Sequence, residues 1–277
     1  MLFIPSRSLL CTLAALAMPT FALAQDAPGL PLWEVGAVGL AVSQQAYPGA
    51  AAQVQRGLAL PYLIYRGQYL RADRGGAGIR AIKTPEFELD VGFAGAFGTR
   101  SSGIAARQGM PDLGTLVEFG PRLKWYLGTG PGTSRLRAEL PLRGVFDLND
   151  GLAHKGMVFE PELILERRTA SGWNTSASLS AAWGNQRMAD TFYGVAPAYA
   201  TPARPAYLAR SGLIRWRLSA GLSRDLSPDL RLFAFANADT VAGAANAASP
   251  LLQRQGGVSA GIGLTYTWIR SQGRAVD

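Results

Sequence analysis

Cysteine and histidine are almost missing from this chain of 277 residues, which contains one of each, Cys11 and His154. A single cysteine cannot form a disulfide bond within the chain. Transition-metal centres and serine hydrolase sites both depend on histidine or cysteine side chains, so this composition argues against them. The sequence therefore predicts no catalytic, metal or cofactor site.

Long hydrophobic runs are also missing after the first residues. Nothing there approaches the roughly 20 uninterrupted apolar residues that a membrane-spanning helix requires. The beginning of the chain does carry an export pattern, because Arg7 precedes an apolar run at 9–17 and Ala22-Leu23-Ala24 forms a small-x-small cleavage site. We expect a signal peptide at 1–24, whose removal would also remove the cysteine, and one domain over 25–277.

Acidic residues are fewer than basic ones, 19 against 27, which gives a formal net charge of +8. A basic chain invites a nucleic-acid interpretation. The arginines are spread singly along the chain, however, and do not form a patch with stacking aromatic residues. We therefore expect no nucleic-acid partner.

The feature that dominates the chain is alternation of side-chain polarity, clearest over 134–147. A strand turns successive side chains to opposite faces, so alternation makes one face apolar and the other charged. This division recurs along most of the chain and is typical of a wall between lipid and a polar interior. The sequence predicts an all-β, transmembrane, antiparallel up-and-down β-barrel. A water-soluble sandwich is the alternative, and the signal peptide and the strand lengths argue against it.

About 12 strands are predicted. An even number returns both ends of the barrel to the periplasm, and the predicted connections alternate between short turns and longer loops. The segment 67–83 is the least regular, since reading it as one bulged strand would reduce the count to eleven and break the topology. The predicted strands are 33–42, 57–66, 67–73, 76–83, 86–97, 114–127, 134–147, 156–168, 172–184, 211–225, 230–240 and 257–269.

Tryptophans and the last strand support the same interpretation. Five tryptophans fall on the apolar parity of their strands, as expected for an aromatic girdle at the lipid headgroups. The last strand fits the outer-membrane assembly signal of a polar residue, a glycine and two apolar or aromatic residues. Together these features predict the outer membrane of a Gram-negative cell. The residues are Trp125, Trp173, Trp183, Trp216 and Trp268, with Ser259, Gly261, Leu264 and Tyr266 in the signal.

The opposite parity predicts the barrel interior, where acidic and basic strands lie side by side and can pair their charges. We expect neutralising pairs in which Arg135 and Arg137 meet Glu160 and Glu162; the alternative is a charged conduit that selects solutes. Arg215 has no acidic run beside it in sequence, nor has Arg217, and an anion preference would reside there. The predicted lumen charges are Glu86, Glu88, Asp90, Glu118, Arg122, Lys124, Arg135, Arg137, Glu139, Arg143, Glu160, Glu162, Glu166, Arg215 and Arg217.

Catalysis at His154 has little support. It lies in a predicted external turn, Asn149-Asp150-Gly151-Leu152-Ala153-His154, that contains no serine, although a serine from another loop could approach. Asp147, Asn149 and Asp150 could bind calcium, but the rest of an EF-type loop is missing and turn chemistry explains these residues. We expect no enzymatic activity.

Several short motifs resemble those of the MipA/OmpV outer-membrane proteins. They are Leu60-Pro61-Tyr62, Gly75-Gly76-Ala77-Gly78, Arg143-Gly144-Val145-Phe146-Asp147, Phe192-Tyr193-Gly194-Val195 and Arg204-Pro205-Ala206-Tyr207, in an order that spans nearly the whole mature chain. The resemblance implies an outer-membrane barrel. For the best-known member it also implies a scaffold that joins a lytic murein transglycosylase to a murein synthase. The residues that follow Trp268 depart from the family pattern.

Two functions follow from these expectations. By resemblance, the barrel is a scaffold for murein (peptidoglycan) enzymes that docks them at its short turns, the segment 25–32 and the tail 269–277. The alternative is a passive or weakly anion-preferring channel for small solutes, which needs only an open lumen. The longer loops, above all 185–210 with its three prolines, are expected to face outward and to fold over the mouth.

Overall fold

The computed structural model describes residues 30–67, 70–73, 76–129 and 134–275. The predicted signal peptide at 1–24 lies outside these ranges. The described residues contain one α-helix and thirteen strands: β1 Trp33–Gln45, β2 Gln53–Arg66, β3 Leu70–Asp73, β4 Gly76–Lys83, β5 Phe87–Ala96, β6 Leu116–Thr129, β7 Ser134–Asp147, β8 Ala153–Phe159, β9 Glu162–Arg168, β10 Trp173–Gly184, α1 Gln186–Tyr193, β11 Gly212–Asp225, β12 Leu230–Thr240 and β13 Gly256–Arg270. No helix in these ranges combines the length and apolar character needed to cross a membrane.

The strands form a closed ring in which neighbours along the chain pair antiparallel and β13 returns to pair with β1. β8 and β9 occupy one position, since both pair with β7 on one side and β10 on the other. The break between them falls at Glu160-Pro161, where proline lacks the N–H that a ladder needs. The described chain is therefore a twelve-stranded antiparallel barrel, which confirms the predicted fold class.

Within 67–83, the described residues 70–73 and 76–83 form two strands, as predicted, and not one bulged strand. β3 and β4 pair from Leu70 opposite Ile79 to Asp73 opposite Gly76. β2 begins earlier than predicted, because its ladder with β1 continues as far as Gln53 opposite Gln45. The predicted strand 156–168 corresponds to β8 together with β9.

The outer surface of the barrel carries exposed large apolar side chains, as the alternation predicts for a lipid-facing wall. Trp183 and Trp216 meet edge to face, with ring centroids 6.1 Å apart, near the end of the barrel that bears the long loops. Trp125 and Trp268 are exposed near the opposite end, which bears the short turns. The exposed tryptophans therefore mark both rims of the apolar belt.

The main apolar core lies among the long loops. Tyr47, Ile104, Tyr193 and Leu251 are buried together, and each comes from a different loop. We call these loops, 46–52, 97–115, 185–211 and 241–255, the cap. Hydrogen bonds tie them to one another: the Tyr47 hydroxyl donates to the carbonyl of Leu251 at 2.7 Å, and the Tyr193 hydroxyl donates to that of Pro48 at 3.0 Å. The long loops thus fold over one mouth of the barrel.

The helix α1 belongs to this cap. The sequence predicted a loop over 185–210 and no helix there. Asn185 caps the helix by accepting a hydrogen bond from the backbone N–H of Met188 at 3.1 Å. Met188, Ala189 and Tyr193 form its buried face. A helix of eight residues is too short to be stable alone, so its packing against the cap core stabilises it.

At the short-turn end, the two ends of the described chain pair with each other. The N–H of Leu32 donates to the carbonyl of Gly273 at 2.8 Å, and the N–H of Ala275 donates to that of Leu30 at 2.8 Å. We call residues 30–32 and 271–275 the terminal ribbon. The residues after Trp268 therefore extend the ladder of β1 and β13 beyond the membrane belt.

Candidate functional site

The lumen contains a compact ladder of ion pairs in its short-turn half. Arg122 on β6 lies directly opposite Asp90 on β5 and binds it through two hydrogen bonds, of 2.9 and 2.6 Å. The same guanidinium reaches Glu139 on β7 at 3.3 Å. Opposite charges on neighbouring strands thus form ion pairs, as the parity and order of the strands predict.

The ladder continues towards the short turns. Lys124 donates to Glu88 at 2.9 Å and also lies 2.9 Å from Asp90. Arg137 donates to Glu139 at 2.9 Å on its own strand and also to Glu166 on β9. None of these residues is more than 9 % exposed, so the paired charges are shielded from water.

A second group of charges lies nearer the cap. Arg143 bridges Glu118 at 2.9 Å and Glu160 at 2.7 Å. Arg215 donates to Glu160 at 2.8 Å, and Arg217 forms two hydrogen bonds with Asp239, of 2.7 and 2.8 Å. Arg215 and Arg217, which have no acidic run beside them in sequence, thus both pair with carboxylates, and the anion preference expected there stays a prediction.

The acidic partners of Arg215 and Arg217 were not predicted, and only that of Arg217 could have been found from the sequence. Arg217 lies directly opposite Asp239, and the tight connection that sets Asp225 opposite Arg231 fixes this register. Counting along the two strands from that turn would have revealed the pair. Arg215 instead reaches across β10 to Glu160, and it passes over the small side chain of Ala182, which lies opposite it. Contact across an intervening strand has no signal in the spacing of the sequence.

The expected pairing of Arg135 and Arg137 with Glu160 and Glu162 is also wrong in its partners. Arg135 lies opposite Glu166, and Glu162 lies opposite Glu139. The staggered register of β7 and β9 thus shifts the pairing along the strands. Glu86 is exposed in the turn before β5 and takes no part in the ladder.

The side of the lumen opposite these ion pairs is mainly apolar. The alternation of the sequence did not lead us to predict this. We call the apolar side chains on the lumen faces of β1, β2 and β12, together with Phe97, the apolar wall. The lumen faces of β5 to β9 and β11 form the charged wall. Val38, Leu40, Val42 and Phe233 are buried in the apolar wall. The partly buried side chains packed against them are Leu60, Tyr62, Phe97 and Phe235.

Glycines on β1 and β13 make room for these aromatic rings. Gly261 lies directly opposite Phe235, and a Cβ at that glycine would lie 2.5 Å from the ring. Tyr62 lies over Gly36 in the same way, and its hydroxyl shares a hydrogen bond of 2.6 Å with that of Thr267. The small residues that alternation places on the lumen face of β13 are thus covered by rings from neighbouring strands.

Between the two walls and under the cap lies a cavity of about 290 Å³. Leu40, Phe233 and Phe235 line one side of it, whereas Glu118, Arg143 and Arg215 line the other. The lining includes cap residues such as Tyr47 and Phe192. The cavity is therefore amphipathic, and cap residues cover its outer end.

Burial in the cap shifts the pKa of its buried titrating groups, Tyr47 and Arg107 among them. Burial raises the pKa of Tyr47 to about 12, although the nearby Arg107 guanidinium opposes this shift. Burial also lowers the pKa of Arg107, whose guanidinium lies 5.9 Å from the centre of the Tyr47 ring and donates to loop carbonyls. Both shifts indicate that the cap excludes water from its interior.

The residues considered for catalysis and calcium binding lie at the long-loop end of the barrel, in and beside the turn between β7 and β8. The exposed ring of His154 packs beside Phe146, and its Nδ1 lies 3.4 Å from the guanidinium of Arg187. Lys155 donates to Asp150 at 2.9 Å and lies 3.6 Å from Asp147, so a cation of the protein neutralises these carboxylates. The described residues contain no group of three or more histidine, cysteine or acidic side chains arranged to hold a metal ion.

The described chain is a closed antiparallel barrel with an apolar outer belt, a charged lumen wall, short turns at one end and long loops at the other. These features define an integral outer-membrane protein. The short turns of such barrels face the periplasm and the long loops face outward. The chain belongs to the MipA family, because the family model described as MltA-interacting protein MipA matches residues 36–268. No curated protein matches the sequence significantly.

Solved outer-membrane structures are similar over most of the chain at low identity. The NanC porin is 9 % identical, with 86 % of this chain and 100 % of that chain covered and a TM-score of 0.39. An outer-membrane channel from Pseudomonas putida F1 is 10 % identical, with 88 % and 98 % covered and a TM-score of 0.40. OprB of Pseudomonas putida is 7 % identical, with 85 % and 94 % covered and a TM-score of 0.38.

Proposed function

We propose that this barrel is a non-catalytic scaffold that docks murein-hydrolysing and murein-synthesising enzymes at its periplasmic rim. The observation that carries the proposal is the filling of the lumen. Buried ion pairs occupy its periplasmic half, and the cap covers its outer mouth. The periplasmic rim is therefore the surface most available to a partner in the cell wall. The description of the family, which names an interaction with MltA, supports the same proposal.

The terminal ribbon gives this rim a projecting feature. Backbone hydrogen bonds join 271–275 to 30–33 and hold both segments beyond the end of β13. Arg66 connects the ribbon to the barrel, because its guanidinium donates to the carbonyl of Pro31 and pairs with Glu34, at 2.8 Å in both cases. A partner that binds here meets an ordered surface and does not have to order a loose tail.

The described charges of the rim favour an acidic partner surface. Basic side chains outnumber acidic ones at the short-turn ends of the strands, and complementary charge steers association. The ion pairs within the rim include Arg231 with Asp225 and Arg270 with Asp229. The rim residues in question are Arg167, Arg168, Arg224, Arg231, Arg270 and Arg274 against Glu86, Asp225 and Asp229.

Binding of purified enzymes to the barrel in lipid nanodiscs tests the proposal. The analytes are a soluble lytic murein transglycosylase and the periplasmic part of a murein synthase. Deletion of 271–277 and the reversal Arg274→Glu should each weaken capture, the deletion by about tenfold or more, which corresponds to about 1.4 kcal/mol. The matched control is Arg254→Glu, which reverses an exposed arginine of the cap at the opposite end.

The variants must first show the faster gel migration of an unheated barrel, so that loss of folding is not mistaken for loss of docking. Equal loss of capture in Arg254→Glu would contradict a periplasmic docking surface. Capture that survives every change at the rim, together with large conductance of the intact barrel in planar bilayers, would favour a small-solute channel. Because ion pairs fill the periplasmic half of the lumen, deletion within 185–210 should leave the conductance of a scaffold low, and a rise in conductance on that deletion would favour the channel.

A further inference from the structure

Two of the rim arginines, Arg167 and Arg224, lie on the lipid-facing side of the barrel. Arg167 follows Leu165 by two residues on β9, and Arg224 follows Leu222 by two residues on β11. Side chains two residues apart on a strand share a face. Leu165 is 49 % exposed and Leu222 is 37 % exposed in the apolar belt, and both arginines are exposed as well. The two cations therefore lie at the periplasmic edge of this belt.

Trp173 on β10 lies between the two arginines. It is directly opposite Arg224, whose guanidinium carbon lies 5.4 Å from the centre of the indole ring. Arg167 lies opposite Thr175, so it is a diagonal neighbour of Trp173, within reach of a long side chain. Trp173 and Thr175 share a face of β10 with the exposed Leu179. We call Arg167, Trp173 and Arg224, on three neighbouring strands, the basic cluster.

The described residues leave both positive charges of the basic cluster without a carboxylate partner. Neither Arg167 nor Arg224 forms an ion pair with any residue that the structure describes. The connection after β9, at 169–172, contains no acidic residue, and neither does the sequence 130–133 between β6 and β7. The two acidic residues within 225–229 pair with other arginines of the rim. A ligand that approaches the cluster from outside therefore meets positive charge.

The spacing of the two arginines suits one phosphate group. β9 and β11 lie on either side of β10, and Arg224 is two residues closer to the short turns than Leu222, which is in the row of Thr175 and Arg167. With strands about 4.8 Å apart and about 3.3 Å per residue, the Cα atoms of the two arginines are about 12 Å apart. Their extended side chains can meet one anion between them. Guanidinium groups bind phosphate oxygens through paired hydrogen bonds.

The basic cluster lies at the level of lipid headgroups. Tryptophan favours this level of a bilayer, and arginine holds its charge there while its stem lies along apolar surface. The indole N–H of Trp173 donates to none of the described residues, so this donor is open to a phosphate oxygen. Leu165 and Leu222 continue the same surface into the belt, where acyl chains lie. Charge above an apolar surface fits a lipid better than a soluble anion.

We propose that the basic cluster binds the phosphate of an anionic phospholipid in the periplasmic leaflet, with the acyl chains along Leu165 and Leu222. Anionic lipids are attracted to clustered arginines, whereas a zwitterionic lipid brings its own ammonium group beside the phosphate. The cluster therefore selects the net charge of the headgroup. This site does not depend on the docking function proposed for the rim, because its ligand is a lipid and not a protein.

Native mass spectrometry of the detergent-solubilised barrel tests the site with phosphatidylglycerol and with phosphatidylethanolamine of the same acyl chains. The wild type should retain phosphatidylglycerol preferentially. Arg167→Gln and Arg224→Gln should each weaken phosphatidylglycerol binding by about fivefold, or about 1 kcal/mol, the usual contribution of one arginine near an anionic lipid surface. Phosphatidylethanolamine binding should change little in either variant.

The matched control is Arg270→Gln, which removes an arginine of the same rim that already pairs with Asp229 at 2.6 Å. It should leave the preference for phosphatidylglycerol unchanged. Equal losses in Arg270→Gln, Arg167→Gln and Arg224→Gln would reflect net charge alone and overturn the proposal. A wild type that binds both lipids equally would overturn it as well.

Glycerol phosphate, which carries the same anion without acyl chains, separates a lipid site from a simple anion site. At the same concentration as the lipid it should not displace phosphatidylglycerol, because it makes no contact with the apolar belt. Displacement by glycerol phosphate would show that acyl chains are not recognised and would contradict a lipid site. Unheated gel migration confirms that each variant is folded.

Discussion

The charged wall and the apolar wall line the same lumen and are built from the same strand geometry, yet they fill it in different ways. The charged wall uses long side chains that reach across strands, as Arg122 does between Asp90 and Glu139. The apolar wall uses rings that lie flat over glycines, as Phe235 does over Gly261. The first is held by directional hydrogen bonds whose loss leaves a charge buried. The second is held by close packing, which tolerates the loss of one contact better.

This difference predicts that the largest effect will come from a charge in the ladder. Arg137→Glu places a third carboxylate beside Glu139 and Glu166 in a buried site. The free energy of unfolding should fall by about 3–5 kcal/mol, the usual result of breaking a buried pair. Urea unfolding in detergent, followed by gel mobility and tryptophan fluorescence, measures it.

The double variant Arg137→Glu/Glu166→Arg sharpens this test. It should recover a large part of the lost stability, because positions 137 on β7 and 166 on β9 are in contact and would again carry opposite charges. Purely additive losses would instead indicate solvated, independent charges and a water-filled lumen. In that case the contrast between the two walls would disappear.

A smaller effect is expected from overpacking the apolar wall. Gly261→Val would place a Cβ 2.5 Å from the ring of Phe235 and 3.1 Å from the carbonyl of Ala41. Overpacking of this kind typically costs about 1–3 kcal/mol. The control is Gly39→Val on the lipid-facing side of β1, where a Cβ would meet nothing within 4 Å. The same urea unfolding assay compares the two variants.

Adding Phe235→Ala to Gly261→Val should relieve the clash, since it removes the ring that the new side chain meets. Gly39→Val should change stability by no more than a few tenths of a kcal/mol, as surface substitutions usually do. If Gly39→Val and Gly261→Val are equally destabilising, strand propensity and not ring packing limits the apolar wall.

The smallest expected effect concerns the titration of Tyr47, which tests whether the cap keeps water away from both walls. The raised pKa of about 12 for Tyr47 means that its neutral form is favoured in the folded cap. Its contribution to cap stability is complete below pH about 10, the ordinary tyrosine value, and is lost as the pH rises through about 12. Tyrosinate absorbance of the wild type minus that of Tyr47→Phe should therefore rise near pH 12. A midpoint near 10 would show an open cap.

The sequence by itself determined the barrel, its outer belt and its charged strands. Alternation over 134–147 assigns every side chain to one face of a strand, and this assignment does not depend on the partner strand. The pairing of neighbouring strands follows from their order in an up-and-down barrel, so the position of Arg122 beside Asp90 is accessible to sequence reasoning. The pairing of Arg217 with Asp239 is accessible as well, because the tight turn between β11 and β12 fixes the register of these strands.

Only the tertiary structure decided which distant residues meet. Arg215 binds Glu160 across β10 because Ala182 is small enough to pass over. The apolar wall arises because β1, β2 and β12 turn apolar residues inward as well as outward, and closure of the barrel brings these three faces together beside Phe97. The cap core joins four loops that are far apart in sequence. Local patterns specify which face a side chain takes, whereas closure of the barrel specifies which faces come together.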